Sequence, residues 1–130
     1  MTDEEFEKQR SRIRELATWW QPKLALNEWH IDYHFHRVSS DMPDGVHGAF
    51  ALCKTHWEYK LASIHWDVSA AEDSDDEQLE RILVHELMHV HLAETQEPDK
   101  DGKHNERVAT ELALSFVFLK RELLPSGETP

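Results

Sequence analysis

Two histidines four residues apart, with a glutamate directly after the first, are the residues of this chain best placed for chemistry: His85-Glu86-Leu87-Met88-His89. They lie inside an apolar run over 79–92 whose spacing predicts a single helix. Residues four apart on a helix share a face, so His85 and His89 can offer two imidazoles to one cation. Glu86 then falls beside that cation without binding it, where a carboxylate can take a proton from a water activated by zinc. Leu79, Ile82, Leu83, Val84, Leu87, Met88 and Val90 occupy nearly the whole circumference, which predicts a buried helix. Buried imidazoles and carboxylates without partners are costly, and metal ligation would satisfy them.

Two imidazoles do not hold zinc alone, and a third protein ligand is needed. The polar stretch 94–103, with Pro98 and Gly102, reads as a loop that brings the chain back. The ligand is therefore expected near the start of a last helix over about 106–124, capped by His104 or Asn105. Glu106 leads, because it shares a face with Ala109, Thr110 and Ala113, whose small side chains let two helices approach closely. His104 is the alternative third ligand. Glu94 is turned away from His89, and His91 is expected at the surface.

The remaining elements must position this helix. Thr2 and Glu5 form a capping-box pattern that opens a first helix, with Phe6, Ile13, Leu16 and Trp20 at helical spacing and Pro22 as its end. Over 29–38 the period switches to two: Trp29, Ile31, Tyr33 and Phe35 alternate with His30, Asp32, His34 and His36. The histidine face reads as a solvated or cleft-facing surface in preference to a second metal site. A loop over 39–48 leads to two strand-like runs, 49–56 and 61–68, joined as a hairpin near Glu58-Tyr59. An edge of the resulting sheet could hold an extended peptide by main-chain pairing. The acidic stretch 70–80 reads as a helix start, with Ser74 and Glu77 as a capping box, in preference to a calcium loop. The motif helix then covers about 75–93. The fold class is α+β: an N-terminal helix, a small three-stranded sheet, a buried H-E-x-x-H helix and a C-terminal helix. Residues 1–125 are expected to form one domain and 126–130 a flexible tail.

Composition narrows the function classes. With 14 basic against 26 acidic residues the net charge is −12, which argues against nucleic acid and anionic membranes as partners. It would steer in basic proteins or peptides, or simply keep the chain soluble. A single cysteine excludes an internal disulfide and fits a reducing compartment. No signal peptide is visible in the acidic first residues, and the longest apolar stretch, 112–119, is too short to cross a bilayer. The expected location is the cytoplasm.

A helix with H-E-x-x-H, followed by Asn105-Glu106 opening another helix, resembles the gluzincin metallopeptidases. The compactness is similar to the minigluzincins and to small metallopeptidases of phages and bacteria, as are the Trp29-His30-Ile31 and Ala62-Ser63-Ile64 strand patterns. The resemblance implies a minimal zincin-like domain, zinc on His85, His89 and Glu106, and Glu86 as general base of a zinc endopeptidase. Glu86 would pass the proton it takes on to the leaving amine, and a further donor would stabilise the oxyanion. Tyr33, Tyr59, His65, His104 and Arg107 are candidates for that donor. Two features depart from the family. Gluzincins often place an acid four residues after the ligand glutamate to orient the first histidine, and here that position is Thr110. Glu106 also follows the motif more closely than in larger members. SprT-like proteins, similar in the motif helix, take their third ligand from a histidine, which keeps His104 as the alternative to Glu106. The alternative functions are a non-catalytic zinc-stabilised protein-binding module and an acidic mimic occupying a nucleic-acid-binding protein.

Overall fold

Helix α1 (Asp3–Lys23) begins where its capping box predicts: the Glu5 N–H donates to Thr2 Oγ1 at 3.1 Å, and the Thr2 N–H to Glu5 Oε2 at 3.3 Å. Pro22 lies inside the last turn instead of ending it, and the chain leaves through Ala25 at a left-handed φ of 59°. Ile13, Leu16, Ala17 and Trp20 form the buried stripe. The computed structural model describes residues 1–38, 42, 50–93 and 103–124.

Three strands follow: β1 (His30–His36), β2 (Ala51–His56) and β3 (Leu61–Asp67), each slightly shorter than its apolar alternation suggests. The sheet order is β1-β3-β2, with β1 parallel and β2 antiparallel to β3. Ile31, Tyr33 and Phe35 share the core side with Ala62, Ile64 and Trp66, as the period of two requires. The β2–β3 connection is a 3₁₀ turn (Trp57–Tyr59) closed by Lys60 at φ 53°.

The alternation over 61–68 overruns the strand. Asp67 instead caps a short helix, α2 (Val68–Glu72), by accepting the Ser69 N–H at 3.1 Å. Periodicity gave no sign of this five-residue element, because one turn is too short to show a helical repeat. Helix α3 (Asp76–His91) starts from Asp75, whose carboxylate accepts the Gln78 N–H at 2.8 Å. Ser74, the expected cap, donates its hydroxyl back to the Ala70 carbonyl at 3.0 Å. Helix α4 (Lys103–Leu123) includes His104 and Asn105, which therefore do not cap it from outside. The expected loops over 39–48 and 94–103 fall, apart from Met42 and Lys103, outside the described residues, as does the tail 126–130.

Helix α3 is the core of this α+β fold. Leu79, Leu83, Val84, Leu87, Met88 and Val90 are all buried, packed among α1, the sheet and α4. A buried polar knot fixes its angle to the other helices. The fully buried Glu80 accepts the Trp20 indole N–H at 2.7 Å and the Arg121 guanidinium at 3.0 Å, and pairs with the buried Lys120 ammonium. At the far end, His91 Nε2 bonds the Leu24 carbonyl at 2.5 Å, tying α3 to the exit of α1. Among the described residues, no helix is long and apolar enough to cross a membrane.

Candidate metal centre

His85 and His89 project from one side of α3, and Glu106 reaches them from the first turn of α4. His89 Nε2 lies 2.7 Å and His85 Nε2 3.3 Å from Glu106 Oε1, and the two Nε2 atoms are 3.1 Å apart. Among the described residues, this is the group of metal-ligating side chains whose donor atoms all fall within 4.8 Å of one another. Donors on a tetrahedral zinc with bonds near 2.0–2.1 Å sit roughly 3.3 Å apart. The cluster needs only to open slightly to fit that ion, and the His₂Glu set is one that zinc accepts with a position to spare. Small residues make the approach possible: Ala109 and Ala113 are buried where α4 meets α3. His104, the alternative ligand, is exposed and stands outside the group.

The charges within the cluster support one another. Burial lowers the basicity of His89, a trend that Glu106 only partly offsets. Burial alone would raise the Glu106 carboxyl, but His85 and His89 together hold it below its usual range. The Thr110 hydroxyl lies 3.3 Å from His85 Nδ1. By accepting an Nδ1–H there it would leave the Nε2 lone pair turned to the cluster.

Glu86 is buried on the sheet side of α3, against β2. Burial pushes its carboxyl up to about 8, with the charge of Glu106 adding to the rise and the Cys53 main-chain N–H opposing it. A cation held by the three neighbouring ligands would pull it back toward the carboxylate form. In front lies a hollow of about 400 Å³ lined by Ala51, Leu52, Cys53, His85, Glu86, His89 and Glu106. Beside it a second hollow of about 330 Å³ is walled mainly by Phe50, Ala51, Ile82, Ala113 and Leu114, with Arg81 and Thr110 contributing polar groups. Both hollows share Ala51, His85 and Glu86, so one cleft runs along β2, which pairs only with β3 among the described strands.

The five oxyanion candidates do not line this cleft among the described residues. Tyr33 donates its hydroxyl to Gln21 at 3.3 Å, Tyr59 is exposed on the hairpin turn, and His65 faces the other side of the sheet. Sequence reasoning missed Cys53 and Arg81. Cys53 acts through its backbone, which no side-chain pattern reveals, and no motif or spacing marks Arg81, which lines the second hollow. Compared with family models, curated proteins and solved structures, the chain matches none of them, and its likeness to gluzincins rests on His85, Glu86, His89 and Glu106.

Proposed function

We propose that this protein is a zinc-dependent metallopeptidase of the gluzincin type, acting on extended protein or peptide segments. The observation that carries the reading is the convergence of His85, His89 and Glu106 with the buried Glu86 beside them, below a strand edge unpaired among the described residues. A zinc ion there would act as a Lewis acid toward a water and the scissile carbonyl. Glu86 holds the proton taken from the attacking water and delivers it to the leaving amine. The Cys53 amide keeps its carboxyl aimed into the cleft.

Substrate recognition follows from the same walls. An extended peptide adds to the edge of β2 that has no partner among the described strands, through main-chain hydrogen bonds. One apolar side chain fills the hollow between Phe50, Ile82 and Leu114. The net charge of −12 favours basic peptides at encounter. A reducing cytoplasmic setting suits the single, half-buried Cys53.

The test is a comparison of Glu86→Gln with the parent on a peptide library, with zinc content measured on both. Activity should fall by roughly 10²–10⁴-fold while the zinc stays near one equivalent. If both proteins are equally inactive yet bind zinc and a protein partner alike, the centre is a structural one in a binding module.

A further inference from the structure

The outer face of the sheet carries a second cluster of imidazoles, which the sequence showed only in part. The period of two puts His34 and His36 on one side of β1, and the parallel register sets His65 of β3 opposite His34. The His34 and His65 rings stack at 4.6 Å with planes 13° apart. His36 Nε2 meets His65 Nδ1 at 2.9 Å, one nitrogen donating its proton to the other.

We propose that His34, His36 and His65 form a transition-metal site built from nitrogen alone and suited to Cu²⁺ or Ni²⁺. Two nitrogens in adjacent corners of a tetragonal ion, with bonds of roughly 2.0–2.1 Å, stand roughly 2.9 Å apart. That is the separation His36 and His65 already keep, so the ion takes the place of the shared proton while the two rings turn toward it. The displaced proton moves to the other nitrogen of its own ring, and none is lost. His34 is stacked on His65, and its nitrogens do not share the close approach of the other two, so it completes the set by leaving the stack as the ion binds.

The surroundings favour these ions over harder ones. Among the described residues, two acids on this face of the strands are engaged elsewhere: Asp32 with His30 at 3.0 Å, Asp67 with the Ser69 N–H and hydroxyl. All-imidazole donor sets select the nitrogen-loving end of the divalent series. His34, His36 and Lys54 are the titratable groups that face the His65 ring. Lys54, across on β2, is the one cation among these neighbours. The site shares no residue with the centre on α3 and α4, lies on the other face of the sheet, and stands whether or not that centre is catalytic.

The experiment is a Cu²⁺ titration of the purified protein, read by calorimetry and electron paramagnetic resonance. The parent should take two equivalents. His34→Ala/His36→Ala should lose one and keep the other, with affinity at the lost site down more than roughly 100-fold. His85→Ala/His89→Ala should keep the equivalent whose spectrum carries nitrogen hyperfine splitting from several imidazoles. An unchanged stoichiometry in His34→Ala/His36→Ala overturns the proposal. A second readout needs no substitution: substoichiometric Cu²⁺ should broaden the ring resonances of His34, His36 and His65 in the parent. If those resonances stay sharp while others broaden, the site does not exist.

Discussion

Removing the Glu80 carboxylate should cost the protein a large part of its stability. Glu80→Ala leaves the Lys120 ammonium, whose side chain is 3 % exposed, without its anion, and strands the Trp20 indole N–H. What remains around Lys120 is the faces of Trp19 at 4.3 Å and Trp20 at 5.5 Å, weaker partners for a buried charge than a carboxylate. Breaking a buried pair on one side typically costs about 3–5 kcal/mol. Unfolding entropy near 2.1 cal/mol/K per residue gives roughly 0.27 kcal/mol/K for a chain of 130 residues. The expected fall in Tm is therefore roughly 11–18 °C by differential scanning calorimetry. Glu80→Leu combined with Lys120→Met should recover most of it, since apolar replacements remove the uncompensated charge. A single variant that melts within about 3 °C of the parent refutes the reasoning, as does a double variant no better than the single.

Other expectations concern the two histidine clusters. Zinc at a hundred times its Kd should raise Tm by roughly 10 °C, from about 2.7 kcal/mol of linkage. Thermal-shift measurement should show this gain lost in Glu106→Ala and kept in His104→Ala, because only Glu106 reaches both imidazoles. Thr110→Val keeps the shape of the side chain but removes the group facing His85 Nδ1. Zinc affinity in competition with a chelator should then drop by roughly 10-fold or more. For pH, His65 sits below its ordinary 6.5, at about 4, so between these values the unfolded chain binds a proton that the folded one refuses. Stability should consequently fall as pH drops from 6.5 toward 4, and less steeply in His65→Asn, as followed by urea unfolding across that window.

The motif helix and the convergence of His85, His89 and Glu106 were legible because each depends on local spacing. His85 and His89 are one turn apart whatever the tertiary fold, and Glu106 stands at the only acidic position expected to open the following helix. The alternating strands were equally plain, since the buried face of β1 repeats every second residue. What escaped was set by partners distant in sequence. Glu80 sat in an acidic run that read as a helix start, and its role depends on Trp20 and Lys120, 60 and 40 positions away. His65 became a neighbour of His34 only through parallel pairing across the β2 excursion. Ser74 and Asp75 are both good caps by type, and the choice fell to Asp75 once the Ser74 hydroxyl turned back to Ala70.

The amide of Cys53 that braces Glu86 belongs to the peptide unit, so nineteen of the twenty residue types can supply it and proline alone cannot. A contact this near the candidate metal centre is therefore almost invisible to selection on side-chain identity. Substitutions at position 53 short of proline thus leave this brace in place, and the strand that steadies Glu86 cannot be found from its side chains.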